Sequence, residues 1–98
     1  MKQTKVVFRT YKDTGVLIAV LPYIVVGKYG DCLAYSHTEG IISVEYLHVM
    51  SKTIRSTPDQ VTEMKETLKS VGHENIIEIK RVNAKESQKA NEEFRLNR

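Results

Sequence analysis

Six consecutive apolar residues, Val16-Leu17-Ile18-Ala19-Val20-Leu21, follow a turn at Lys12-Asp13-Thr14-Gly15. Side chains alternate between the faces of a strand, so a strand made of this run is apolar on both sides. A sheet built on it must be covered twice. Upstream, Lys5 to Tyr11 is rich in Val, Phe, Thr and Tyr, and the two segments read as a hairpin in which Gly15 closes a type I turn with a bulge. In that register Arg9 stands opposite Ile18, Val7 opposite Val20, Phe8 opposite Ala19 and Val6 opposite Leu21. A helix can cover one face. The other, made of Val7, Val16, Ile18 and Val20, needs a loop, a tail or a second subunit.

The remaining strand and helix signals follow from local chemistry. Pro22 cannot donate to a ladder and is expected to end the second strand. Tyr23 to Val26 is apolar and β-prone, Gly27-Lys28-Tyr29-Gly30-Asp31 is turn-rich, and a third strand is expected over Cys32 to Thr38, closed by Glu39-Gly40. Ile41, Ile42, Val44 and Leu47 fit a helical stripe as well as a short strand, so 41–47 reads as irregular or one turn of helix. His48 to Ile54 reads as a further strand. Thr57-Pro58-Asp59-Gln60 then forms a capping box with proline at the first helical position. The helix it opens runs from Pro58 to about Val71, with Val61, Met64, Leu68 and Val71 on one stripe and Gly72 as terminator. Ile76 to Val82 alternates as a strand exposed on one side.

These elements predict an α+β fold with a mostly antiparallel sheet of four or five strands and the 58–71 helix across one face. The strand, helix, strand succession from His48 to Val82 suggests a right-handed crossover with its two strands parallel. Residues 1–83 read as one domain. Residues 84–98, with only Ala90, Phe94 and Leu96 as anchors among Lys, Glu, Gln and Asn, read as a charged tail, a frayed helix or disordered.

Charge and cysteine content narrow the function classes. Fifteen Lys and Arg against twelve Asp and Glu leave a net charge of +3. Residues 1–83 carry eleven positive and nine negative groups, and 84–98 carry four and three, so the signs are interspersed rather than gathered into a basic stripe. A nucleic-acid partner is permitted but not demanded. The single cysteine, Cys32, excludes an internal disulfide framework, and beside Leu33 and Ala34 it reads as a small core residue. The longest apolar run, Val16 to Val26, is eleven residues and holds Pro22, short of the roughly 20 that span a bilayer. No membrane partner is expected, and with Arg9 interrupting any signal-like apolar stretch, a cytoplasmic location is expected.

Reactive side chains gather between Asp31 and His48. Cys32 and His37 are five apart on one strand and point to opposite faces, which removes a cysteine–histidine catalytic pair and a shared metal site. His37 and Glu39 are two apart at a strand end with Tyr35 on the same face, so Glu39 could orient the imidazole in a small ligand-binding or hydrolase-like site; an exposed pair at a turn is the plainer alternative. Phe8, Tyr11 and Tyr35 near Arg9 and Lys12 suggest a stacking platform, which makes Arg9, Lys12 and Tyr35 the nucleic-acid candidates, with Lys28, Lys52, Arg55 and Lys80 as further cations to place. No phosphate-binding loop, metal set or cofactor motif is present.

The succession Phe8-Arg9, Asp13, Ile18-Ala19, Pro22, then Cys32-x-x-Tyr35-x-His37-x-x-Gly40, then Thr57-Pro58 and Leu68-x-x-x-Gly72 resembles a group of small uncharacterised bacterial and phage-associated proteins across residues 5–82. The resemblance implies a compact α+β domain with no assigned activity. Ile41 and Ile42 stand where that group has polar residues. Without a complete catalytic set, the chain reads as a non-enzymatic interaction module that forms a homodimer, because strand two and Tyr23–Val26 offer more apolar surface than one helix covers.

Overall fold

The hairpin forms in the expected register. In the computed structural model, which describes residues 4–26, 31–73 and 75–80, β1 (Thr4–Tyr11) and β2 (Leu17–Val25) are antiparallel, with Val7 opposite Val20, Phe8 opposite Ala19 and Arg9 opposite Ile18. Gly15 adopts φ +73°, and its N–H donates to the Tyr11 carbonyl at 2.9 Å, which closes the turn as the glycine predicts. Then come β3 (Cys32–Ser36), β4 (Gly40–Val44), α1 (Tyr46–Lys52), β5 (Thr53–Arg55), α2 (Pro58–Ser70) and β6 (Ile76–Glu78). The sheet order is β4-β3-β2-β1-β5, and β6 also pairs β1. The fold is α+β.

Several elements differ from expectation. Pro22 does not end β2, which continues to Val25. Leu21 pairs with Leu33 and Val25 with Cys32, so Pro22, Tyr23 and Ile24 bulge out of the ladder with β3, where a missing N–H does no harm. Residues 40–44 form an edge strand, not an irregular segment. His48 to Ile54 is not a strand: residues 46–52 are helical and 53–55 alone extend. Tyr46, Val49 and Met50 recur at helical spacing and all three pack on one side of the sheet, which decides between two patterns of similar local strength.

The two faces of the central strands are covered by two helices. On one, Val61, Met64 and Leu68 of α2 pack on Val6, Phe8, Leu17, Ala19 and Leu21. On the other, Val49 of α1 packs on Val7, Ile18, Val20, Cys32 and Ala34. The second cover is therefore α1, a segment of the chain itself, because residues read as strand turn into helix once the apolar sheet face is there to receive them.

The α2 boundaries follow from its caps. Thr57 accepts from the Gln60 N–H, and the Gln60 side chain accepts from the Thr57 N–H at 2.8 Å, so the capping box is complete. At the other end His73 N–H bonds the Leu68 carbonyl and Gly72 N–H the Lys69 carbonyl, with Gly72 at φ +100°. Val71 caps the helix from an exposed position and is not part of the buried stripe. The crossover expectation also changes. Strand β5 is antiparallel to β1 and β6 is parallel to it, so β5 and β6 run opposite ways beside different halves of β1. The expected strand over 76–82 is shorter than read and ends at Glu78, with Ile79 and Lys80 described but outside it, and Lys28, Val82 and the expected tail at 84–98 lie outside the described residues.

Candidate functional site

His37 sits where the β3–β4 turn begins, because the Ser36 hydroxyl takes the N–H groups of Thr38 and Glu39 and bends the chain. Its Nδ1 lies 3.7 Å from Glu63 Oε1 on α2, both side chains being about half exposed. Among the described residues no hydrogen bond or ion pair joins His37 to Glu39. The charge of Glu39 acts instead on Tyr11, whose phenol is pushed up first by burial and then by the charges of Glu39 and Asp13. Tyr35 packs against the α2-side core. The three residues thus share a hairpin, but the carboxylate nearest His37 comes from a helix that local sequence could not connect to it.

Arg9, Lys12 and Tyr35 do not form one surface. Arg9 shares a face with Ile18 and Tyr35 with Ala19, and these alternate across the sheet. Lys12 is exposed in the first turn. The Arg9 guanidinium is turned toward β5, with Nε 3.0 Å from Thr53 Oγ1 and Nη2 2.7 Å from the Thr53 carbonyl.

Arg9 leads to a different site. Strand β6 lies beside Thr4–Val6 and β5 beside Arg9–Tyr11, so the sheet edge forks, and Val7 and Phe8 line the gap. The gap opens into a cleft of about 470 Å³, walled by Pro58, Val61, Thr62 and Lys65 of α2 and by Ile79 beyond β6. Among the described residues four cations line it, Arg9, Arg55, Lys65 and Lys80, against one carboxylate, Glu78. Arg9 and Arg55 are direct cross-strand partners. Like charges so placed oppose each other and weaken the pairing. Among the described residues none of Arg55, Lys65 and Lys80 has a carboxylate within ion-pair distance. Of the cations named from sequence, Arg55 and Lys80 therefore line the same cleft as Arg9, and Lys52 does not. Lys65 was missed, although its position one turn beyond Val61 and beside Thr62 marks the flank of the apolar stripe.

At the opposite edge β4 pairs only β3 among the described residues. Its sequence, Gly-Ile-Ile-Ser-Val, holds no charge and no proline. Ile42 and Val44 turn into the α1-side core, while Ile41, opposite Tyr35, is 65% exposed. Cys32 at the start of β3 is buried with its thiol 3.6 Å from the Val44 carbonyl, and burial pushes that thiol up to about 11. It is a packing residue in a form poorly suited to nucleophilic work. No grouping of His, Cys, Asp and Glu able to hold a metal ion occurs among the described residues, and no helix among them is long and apolar enough to cross a membrane.

No family model, curated protein or solved structure matches this chain.

Proposed function

We propose that this protein is a non-enzymatic interaction module of the cytoplasm that self-associates by pairing β4 with the β4 of a second copy. The supporting observation is the β4 edge itself. Exposed strand edges are templates for further pairing, and folded proteins blunt them with charge, proline or extreme shortness. The other edge is broken into the short strands β5 and β6. Strand β4 has five residues, no charge, and Ile41 standing open beside Tyr35. Antiparallel pairing of one strand with itself obeys two-fold symmetry, so a second copy is the partner that the edge fits without further assumption. One strand pair buries less than the roughly 1,200 Å² of a standard interface, so the dimer is weak, with a dissociation constant on the order of micromolar or above. A single buried thiol, which needs no oxidising surroundings, suits the cytoplasm.

Sedimentation equilibrium of the full chain tests this. We expect a concentration-dependent dimer, and Ile41→Lys to weaken it by roughly tenfold or more, since an edge lysine opposes strand addition. Leu47→Ser, at an exposed apolar residue of α1, should leave it unchanged. A chain that stays monomeric at about 100 µM, or a dimer indifferent to Ile41→Lys, overturns the proposal.

A further inference from the structure

We propose that the cleft at the fork of the sheet binds a small organic phosphate, with the phosphate held by Arg55, Lys65 and Lys80 and the apolar body seated among Pro58, Val61 and Ile79. The volume of about 470 Å³ lies in the range of small-molecule sites, and apolar walls with a few polar groups are their usual make-up. The charge selects the ligand. Cations in folded proteins ordinarily find carboxylates or spread over the surface, yet here three that have no carboxylate partner among the described residues line one cavity beside a fourth, Arg9. Arg9 and Arg55 are held opposite each other on paired strands, a repulsion that a bound anion converts into attraction. A carboxylate offers them one negative charge and two acceptor oxygens. A phosphate dianion can accept from several at once.

The walls argue for a compact ligand rather than a nucleic-acid strand. Phe8 is 2% exposed and so gives a base no ring to stack on, and among the described residues no tyrosine lines the cleft. The apolar part of the ligand would replace water over Val61 and Ile79, while Glu78 on the same lining disfavours a long anion that fills the whole opening. The cleft lies at the edge opposite β4, so occupation and self-association can occur together.

Phenyl phosphate, a ring carrying a dianion, is a suitable probe for the full chain, followed by calorimetry and by amide chemical shifts. We expect saturable binding that shifts the amides of Ser56, Thr62 and Ile79. Inorganic phosphate and phenol should each bind at least about tenfold more weakly, since each lacks half of the complement. The double variant Arg55→Gln/Lys65→Gln should lose about tenfold or more while unfolding at the same temperature or slightly higher, whereas Lys52→Gln, outside the cleft, should bind as the parent does. Three results would overturn the proposal: no shift of those amides at about 10 mM phenyl phosphate, equal binding by the double variant, or a short oligothymidylate binding more tightly than phenyl phosphate with steep salt dependence, which would assign the cleft to a strand backbone.

Discussion

Single residues in this protein act through partners far away in sequence. The Thr10 hydroxyl donates to Gln60 Oε1 at 3.1 Å and lies 2.9 Å from Ser56 Oγ, while the same Gln60 oxygen accepts from the Thr57 N–H. Gln60 therefore completes a helix cap and ties that cap to β1. Gln60→Ala should cost about 1 to 2 kcal/mol, at the upper end for a capping residue, because it also deprives the largely buried Thr10 of its acceptor. Urea unfolding would show this, and a loss below a few tenths would mean the Thr10 contact contributes nothing. Cys32 gives a second test. Its pKa rises from 9.0 to about 11 because burial disfavours the thiolate, so the folded state holds the proton more tightly than the unfolded state. The stability this contributes is complete below about pH 9 and is lost as the pH rises toward 11. At pH 8 the native thiol should react with an aromatic disulfide reagent far more slowly than the urea-unfolded chain. Equal rates would show that the thiol is accessible.

The two helices stand on different foundations. Helix α2 has thirteen residues, a complete capping box, Asp59 in its first turn and Lys69 in its last, and it would be recognisable in almost any context. Its burial is equally plain: Leu68 is fully buried, so Leu68→Ala should cost about 2 to 5 kcal/mol by denaturant unfolding. A value near zero would place the wrong face on the sheet. Helix α1 has seven residues and no side-chain N-cap at Glu45. Helices this short are not stable alone, so a peptide spanning 45–53 should show no helical circular dichroism in water, while Val49→Ala in the intact chain should cost about 1 to 3 kcal/mol. A helical peptide would mean that the sheet face does not induce the structure.

At the scale of the molecule, β1 and β2 form the middle of the sheet and carry a helix on each side. Val6, Val7, Phe8, Ile18, Ala19, Val20 and Leu21 are all buried. Amide exchange should accordingly be slowest along these strands and faster in β4 and β6, which are paired on one side only among the described residues. Protection spread evenly over all six strands would contradict this layering. The edges divide the molecule's outward chemistry. The uncharged β4 lies at one edge and the cationic fork between β5 and β6 at the other, each available because no further strand of the described chain covers it.

Local sequence was sufficient wherever the energetic preference is itself local. The Lys12–Gly15 turn, the hairpin register and the cap-to-cap extent of α2 were all legible, because glycine conformation, face alternation and capping act within a few residues. So was the need for two covers. What covers the second face was not legible, since Tyr46 to Lys52 becomes helical through contact with Val7, Ile18 and Val20, which lie more than twenty-five residues upstream. The same limit applies to the sites. Glu39 was the natural local partner for His37, yet the carboxylate beside it is Glu63, and Arg9 faces Arg55 rather than Tyr35. Charge and hydrogen bonding act across a few ångströms of space whatever the separation along the chain, so the cationic cleft exists only once β1, β5, β6 and α2 have been folded around it.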